Sequence, residues 1–376
     1  MLAVVLAALA TVAGLQDTIT YPLLRGEMIG DCAENGAQAA VPCRLRRQWS
    51  AGALQSRMTG DEAVWRDGDE VTFARKTPDG AVTLHVAAMV LPMGWVPDSE
   101  LWVVTIRIPD APRAALTYQF YSMQGAAGKP TVWRADTRAA TMRSAALHGH
   151  LRRDTLTDAR TGQRRALLSY VPPGPASQDD LHVVYLADGE SVSEIAPGID
   201  TLVAAGAIPP VVLVGIASSA TQRNLEYVRG VSPDSAPYLA HERFVMDDVM
   251  RWAQATLHAS ARRDRRMILG MSSGGAFAVS LALRHPDRFG AAIALSPAGA
   301  APAVATSTGA WPLFVLTAGT LEPPLLAQAR VARQRLEGAG APVHFDLLVS
   351  GHDERVWFED VPRLVAYAIN AGSSIR

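Results

Sequence analysis

This chain of 376 residues contains only two cysteines and two lysines, and its net charge is close to zero. The formal net charge of −1 gives no electrostatic case for binding nucleic acid. The two cysteines, Cys32 and Cys43, lack the further Cys or His partners of a metal site. Because lysine is limited to Lys76 and Lys129, basic charge is nearly all arginine. That bias favours bidentate contacts with planar anions, although a genome rich in G and C explains it as well.

No hydrophobic run is long enough for a stable membrane span. The apolar run from Met1 to Gly14 falls short of the about 20 residues that a bilayer requires. It fits the apolar region and cleavage zone of a secretory signal, although the usual positive charge before it is missing. A hydrophobic strand or helix of the first domain is the alternative. We expect residues 1–15 to be a signal segment of a periplasmic or secreted protein, or the protein to be cytoplasmic if they are not. In an exported protein Cys32 and Cys43 would close one disulfide.

The length predicts two domains, and the apolar patterning changes along the chain. Between about residues 70 and 123, short runs of period two alternate with turn signals, which predicts a β-sandwich within residues 16–145. Residues 124–150 have little apolar periodicity and are interpreted as a linker. Residues 150–376 then alternate near-continuous apolar segments with helical stretches. That pattern predicts a doubly wound α/β sheet, which binds ligands at the carboxyl ends of its strands.

The segment Gly270-Met-Ser-Ser-Gly-Gly275 lies between an apolar strand pattern, 267–269, and a helical run, 276–283. A G-x-S-x-G sequence in that context predicts a nucleophile elbow, a tight strand-to-helix turn that exposes a serine hydroxyl. Ser272 is therefore the candidate nucleophile. A small-residue turn in a chain rich in Gly and Ala is the alternative. The hydroxyl of a serine is a poor nucleophile until a base removes its proton, so a histidine and an acid should follow.

Both residues follow in the α/β-hydrolase order of Ser, acid and His. Glu322 comes directly after the strand pattern 313–316, and His352 comes directly after the pattern 343–349. His352 is thus the candidate base and Glu322 the candidate acid. Asp353 and Asp346 are alternative carboxylates, although Asp353 is awkward as the group that orients the imidazole next to it in sequence.

The oxyanion of such a reaction needs backbone donors. One is the N–H of Ser273, directly after the nucleophile, and the second is expected in the loop that follows an earlier strand. The strand pattern 181–186 is followed by Ala187-Asp188-Gly189-Glu190. We predict the N–H of Glu190, with Gly189 next, as the second donor. An ordinary Asp-Gly turn is the alternative.

Several segments together resemble the esterase D-like family, especially the enterochelin (ferric enterobactin) esterases. They are VVYLADGE (183–190), QRNLEY (222–227), GMSSGGAFAVSLALRHPDRFGAAIALSP (270–297), AGTLEPP (318–324) and SGHDERVWF (350–358). The resemblance implies Ser272, Glu322 and His352 as the catalytic set and places Arg223 and Trp357 at substrate-binding positions. It also implies that the β-sandwich is immunoglobulin-like and precedes an α/β-hydrolase domain.

These features predict an exported serine esterase that acts on a small-molecule ester, with no metal or organic cofactor implied. By resemblance the substrate is a siderophore lactone such as enterobactin, with Arg223 and Arg229 offering charge to an anionic catecholate. An acetyl or feruloyl esterase acting on plant polysaccharide is one alternative. A binding protein of the same fold that has lost catalysis is another.

Overall fold

A computed structural model describes residues 29–32, 41–136, 146–174, 180–219, 221–299 and 310–374 of the chain. The predicted signal segment, residues 1–15, lies outside these ranges. None of the helices within them combines the length and apolarity needed to cross a bilayer.

The amino-terminal half consists of two antiparallel sheets that face each other. One sheet has the order β1-β7-β3-β2, with β6 also paired to β7, and the other has the order β5-β4-β8-β9. The strands are β1 (Cys43–Leu45), β2 (Glu62–Asp67), β3 (Glu70–Lys76), β4 (Thr83–Val86), β5 (Met89–Pro92), β6 (Gly94–Trp95), β7 (Leu101–Arg107), β8 (Ala115–Ser122) and β9 (Gly125–Arg134). A short helix, α1 (Ala51–Gln55), precedes β2.

The alternating residues of these strands form the core between the two sheets. Phe73 and Ile106 from one sheet and Leu84 and Phe120 from the other are fully buried in the same cluster. The period-two pattern therefore predicted the buried faces of a sandwich correctly. A disulfide joins Cys32 to Cys43 at the start of β1.

The interpretation of residues 124–150 as a linker is wrong for their first third. Gly125–Arg134 forms β9, which pairs with β8 along its length. Backbone hydrogen bonds hold this edge strand, and most of its side chains are partly or fully exposed, so it needs no apolar alternation. Among the rest of that range, residues 137–145 lie outside the described residues.

The carboxyl-terminal half contains an eight-stranded mixed sheet of order β10-β11-β13-β12-β14-β15-β16-β17. Its first two strands form an antiparallel hairpin, and the strands from β12 onward run parallel to one another. The strands are β10 (His150–Thr157), β11 (Arg164–Val171), β12 (His182–Ala187), β13 (Val211–Ile216), β14 (Arg266–Met271), β15 (Ala291–Leu295), β16 (Leu313–Gly319) and β17 (Val343–Leu348).

Helices cover both faces of this sheet, as expected of a parallel sheet with near-continuous apolar strands. The helices are α2 (Val192–Ala204), α3 (Arg223–Tyr227), α4 (Ala236–Arg243), α5 (Met250–Leu257), α6 (Ser273–Arg284), α7 (Pro323–Gly338) and α8 (Glu354–Ser374), with a π-helical segment, Phe244–Val249, joining α4 to α5. Apolar residues of α2 and α8 pack on one face with Val184 and Leu186 of β12. Those of the α4–α5 segment, α6 and α7 pack on the other face with Val183 and Tyr185.

The strand order places the carboxyl ends of β12 and β14 side by side. The connection from β12 leads to β13 on one side, whereas β14 lies on the other side of β12. Such a reversal of strand order opens a crevice outside the sheet edge, where α/β proteins bind ligands. The loops of Glu190 and Ser272 begin at this edge. The sandwich packs against the same region, since Leu321 and Val349 are buried in its core cluster.

Candidate active site

The candidate nucleophile lies on a strained turn between β14 and α6. Ser272 has φ 55° and ψ −124°, a conformation that residues with a Cβ rarely adopt. Its backbone N–H donates a 2.9 Å hydrogen bond to the carbonyl of Leu295. A Cβ on Gly270 would lie 2.0 Å from the carbonyl oxygen of Gly274, so the strand and helix approach too closely for any larger residue. The sequence prediction of an elbow is therefore matched by its backbone geometry.

The candidate acid, Glu322, and the candidate base, His352, share a hydrogen bond. Nδ1 of His352 lies 2.8 Å from Oε2 of Glu322, and the Glu322 side chain is fully buried. The other carboxylate oxygen accepts a 2.6 Å hydrogen bond from the N–H of Gly319 and one from the hydroxyl of Ser296. Because an ionised carboxylate only accepts hydrogen bonds, Nδ1 is the donor, and Nε2 of a neutral ring is left as an acceptor.

The two alternative carboxylates, Asp353 and Asp346, form hydrogen bonds with residues other than His352. Asp353 accepts hydrogen bonds from the backbone N–H and the hydroxyl of Thr117. Asp346 lies on β17, where it contacts His344 and Arg363. Burial alone would raise the pKa of Asp346, but the hydrogen bonds and charges of Arg363 and His344 together outweigh it and hold that pKa below its ordinary value. Of the three carboxylates, Glu322 is thus the one bonded to the imidazole of His352.

A cavity of about 980 Å³ opens between the sandwich and the α/β sheet, and it brings most of the candidate residues together. Ser272, Ser273, His352 and Glu190 all line it, with Glu322 buried behind His352. The sandwich contributes a wall that sequence reasoning missed. Its lining residues are His85, Val86, Ala87, Ala88, Thr117, Tyr118, Gln119 and Pro130. Burial lowers the pKa of His85, which favours its neutral form near neutral pH.

The two predicted oxyanion loops both border this cavity. Ser273 is the first residue of α6, where backbone N–H groups have no partner within the helix. Glu190 lies in a short 3₁₀ turn directly after β12, and its side chain is exposed. Gly189 is not among the lining residues, because it packs behind the loop: a Cβ there would lie 2.7 Å from the backbone of Gly215. Glu190 is therefore better placed than Gly189 to present an amide to the cavity.

Arg223 lines the cavity, but its charge is already paired. Its guanidinium donates two 2.6 Å hydrogen bonds to Asp188 and one of 3.3 Å to the carbonyl of Met271. Burial disfavours the charged guanidinium, but the hydrogen bonds and charge of Asp188 raise the pKa of Arg223 above its ordinary value. Arg229 is exposed and is not among the lining residues. Neither arginine thus offers an unpaired charge inside the cavity.

Two further residues pack around the candidate catalytic groups. Trp357 is 1% exposed and meets the His352 ring edge-on, with 4.6 Å between ring centroids. Its placement suits holding the imidazole, and its role in binding substrate stays a prediction. Asn224, which sequence reasoning missed, accepts a 2.8 Å hydrogen bond from the hydroxyl of Ser273. Its position inside the QRNLEY segment, beside Arg223, was the available signal.

Comparisons with known proteins show which family and which folds this chain is similar to. Residues 159–312 match the family model described as "Putative esterase". A search of curated proteins gives no match. The enterobactin esterase of Shigella flexneri, solved in the presence of enterobactin, shares the fold with a TM-score of 0.67 at 17% identity, covering 86% of this chain and 98% of its own.

Two other solved structures are similar. The ferric enterobactin esterase of Salmonella typhimurium aligns with a TM-score of 0.67 at 16% identity, covering 85% of this chain and 99% of its own. A ferulic acid esterase of Anaeromyces mucronatus, in complex with ferulic acid, aligns with a TM-score of 0.50 at 12% identity, covering 63% of this chain and 96% of its own. At these identities the likeness shows the fold alone. Residues 159–312 thus match an esterase family, and the chain shares its α/β fold with solved carboxylic ester hydrolases.

Proposed function

We propose that the chain is a serine esterase with the catalytic set Ser272, His352 and Glu322. The observation that carries the proposal is the buried 2.8 Å contact between Glu322 and the Nδ1 of His352, in a cavity that Ser272 lines from a strained turn. Nε2 of His352 accepts the hydroxyl proton as Ser272 attacks the ester carbonyl, and Glu322 stabilises the imidazolium that forms. The amides of Ser273 and Glu190 stabilise the oxyanion.

The rest of the cycle follows from the same groups. Collapse of the tetrahedral intermediate releases the alcohol, which takes the proton from His352 and leaves an acyl group on Ser272. A water molecule, deprotonated by His352, then attacks the acyl carbonyl and releases the acid. No residue beyond these is needed to balance the protons of the two half-reactions.

The charge of the cavity supports an uncharged ester as the substrate. Asp188 neutralises Arg223, and acidic lining residues outnumber basic ones in the part of the chain that the structure describes. The acidic members are Asp188, Glu190, Glu194, Asp353 and Glu354, and the basic ones are Arg223 and Arg355. A ferric tris-catecholate is strongly anionic and would be repelled by such a surface. A siderophore lactone free of iron is therefore our first candidate, on the fold shared with the enterobactin esterases.

A feruloyl ester is the second candidate. Its acyl group is neutral and aromatic, as the cavity charge favours, and the fold is also similar to that of a ferulic acid esterase.

We further propose that the sandwich is immunoglobulin-like, which its two facing antiparallel sheets support. Export to the periplasm or beyond is supported by the disulfide between Cys32 and Cys43, because disulfides persist in oxidising compartments.

Replacement of Ser272 by Ala tests the proposal. We expect the variant to fold, to lose hydrolysis of p-nitrophenyl esters and to lose labelling by a fluorophosphonate probe. Full hydrolysis by Ser272→Ala would overturn the mechanism, and a wild-type protein that the probe does not label would favour the inactive binding protein. A panel of iron-free and ferric enterobactin, feruloyl sugars and acetyl sugars then ranks the substrates by kcat/KM.

A further inference from the structure

The loop that carries His352 is held by the sandwich as well as by the α/β sheet. This loop, residues 349–353, joins β17 to α8. At its start, the N–H of Ala115 donates a 3.1 Å hydrogen bond to the carbonyl of Val349. On the opposite side, the N–H of Leu321 donates one of 2.9 Å to the carbonyl of Ser350. The loop is thus fixed from both halves of the molecule before it reaches the histidine.

The residue before His352 touches a hairpin turn of the sandwich. A Cβ on Gly351 would lie 2.1 Å from the carbonyl oxygen of Ala87, so only glycine fits beside that turn. Ala87 and Ala88 form the turn between β4 and β5, and both have positive φ, 48° and 68°. Two-residue hairpin turns of this kind usually contain Asn or Gly. Alanines held in this conformation, directly against Gly351, indicate that the surrounding contacts determine the turn.

The residue after His352 is bonded to a single threonine of the sandwich. Asp353 is 5% exposed, and its carboxylate accepts hydrogen bonds of 2.8 Å from the N–H and 2.6 Å from the hydroxyl of Thr117. The carbonyl of Thr117 in turn accepts a 2.9 Å hydrogen bond from the N–H of Ala87. A buried carboxylate strongly requires such donors, because an unpaired buried charge is costly. Thr117 therefore bonds both to the hairpin turn, which touches Gly351 before His352, and to Asp353, which follows His352.

We propose that Thr117 is a positioning residue for His352, acting through Asp353, so that the sandwich is part of the catalytic apparatus. This inference rests on the proposed role of His352 as the general base. The imidazole must reach both Ser272 and Glu322, and Glu322 fixes it only through Nδ1. The backbone on either side of the ring sets where Nε2 lies. A displacement of about 1 Å in a catalytic group is enough to lower a rate by about 100-fold.

The test removes the hydroxyl while keeping the shape of the side chain. Thr117→Val leaves one oxygen of Asp353 without its hydroxyl donor, and we expect kcat to fall by about 10- to 100-fold with KM within about twofold of wild type. Thr117→Ser restores the hydroxyl and should restore kcat. Asp353→Ala, which removes both acceptors of the hydrogen bonds from Thr117, should repeat the loss if Thr117→Val folds poorly. Thermal midpoints report whether each variant is folded.

The matched control breaks another bond between the same two halves. Arg134 of β9 pairs with Glu359 of α8, and neither residue is among those that line the cavity, so we expect Arg134→Gln to keep the wild-type kcat. Thr117 also lines the cavity, so p-nitrophenyl acetate and butyrate are both assayed to separate positioning from contact with substrate. A wild-type kcat in Thr117→Val, a change confined to KM, or an equal loss in Arg134→Gln would each overturn the inference.

The same assays keep this inference apart from the proposed function. Hydrolysis that survives Ser272→Ala would show that the catalytic set itself is wrong. Slow but complete fluorophosphonate labelling of Thr117→Val, together with no labelling of Ser272→Ala, is the pattern expected if both are right.

Discussion

Exchange of Glu322 for Gln should show whether Glu322 is the acid of the catalytic set or only a buried structural carboxylate. In the wild type one oxygen of Glu322 accepts from Gly319 and Ser296, and the other accepts from Nδ1 of His352. Glutamine has the same shape but only one oxygen. If that oxygen stays with Gly319, the NH₂ group faces Nδ1, which must then become an acceptor. The ring proton moves to Nε2, the atom that has to accept the proton of Ser272.

The opposite orientation of the amide is also costly. Its oxygen would then accept from Nδ1, but its NH₂ group would face the N–H of Gly319 inside the protein. A buried donor left without an acceptor costs about 1–3 kcal/mol. The wrong imidazole tautomer costs about 10⁴ in kcat in the analogous Asp-to-Asn exchange of a serine protease. Between these limits we expect Glu322→Gln to lose about 10²- to 10⁴-fold in kcat, or about 3–5 kcal/mol of transition-state stabilisation.

The assay is kcat and kcat/KM for p-nitrophenyl butyrate, measured across the alkaline range as well as at neutral pH. Asp346→Asn is the matched control. Like Glu322, Asp346 contacts a histidine, here His344, but it pairs with Arg363 as well and lies on β17 outside the cavity lining. We expect that control to keep wild-type activity. A Glu322→Gln protein within about threefold of the wild type would refute the assignment of Glu322 as the acid.

Three further predictions concern stability and substrate charge. Burial lowers the pKa of His241 from 6.5 to about 4, so this histidine is neutral in the fold and protonates on unfolding below about pH 6.5. Its contribution to the free energy of unfolding should be constant above about pH 6.5 and fall by about 3 kcal/mol toward pH 4. Urea titrations should find a flatter profile in His241→Phe. Gly270→Ala should lower the thermal midpoint strongly, because its Cβ would lie 2.0 Å from a carbonyl oxygen, whereas Gly52→Ala, with nothing within 4 Å, should not. In a series of p-nitrophenyl esters, those with an anionic acyl group should have lower kcat/KM than neutral ones. Added salt should reduce this difference in kcat/KM, because it screens charge. Faster hydrolysis of the anionic esters would contradict an acidic cavity.

The positions of the candidate catalytic residues were predictable because each depends on a strand end. The strands that precede Ser272 and Glu322 are buried on both faces, so their sequences are near-continuous apolar runs that are easily recognised. The strand that precedes His352 is a partly buried edge strand, and its apolar residues Val343, Phe345 and Leu347 still mark its position. Parallel strands bring their carboxyl ends to one edge of the sheet, so a residue directly after each strand falls near the others. The contact between Glu322 and His352 follows from that topology.

The sandwich wall of the cavity could not be predicted in the same way. Thr117 and His85 lie on strands whose pattern indicates only which face is buried, and nothing local shows which edge packs against the α/β sheet. β9 was missed because an edge strand needs no apolar alternation. The expectation that Arg223 offers charge to a catecholate likewise overlooked Asp188, which is 35 positions away and meets it only in the folded chain.

Helix α3 explains how the two oxyanion loops keep their relative positions. Arg223 bonds to Asp188 of one loop and to the carbonyl of Met271 in the other, and Asn224 bonds to Ser273. Tyr227 accepts a 2.8 Å hydrogen bond from the N–H of Asp188. The helix itself is anchored to β11, because Glu226 forms a buried pair with Arg165.

Both amides proposed for the oxyanion are therefore tied to one short helix before any substrate binds. Stabilisation of an oxyanion depends on donors that are already in place, since donors that must reorganise contribute less. The guanidinium of Arg223 acts in this arrangement through the geometry of the loops around Asp188 and Met271. Its contribution to the reaction is therefore expected through the placement of the two amides rather than through a direct ion pair with the substrate.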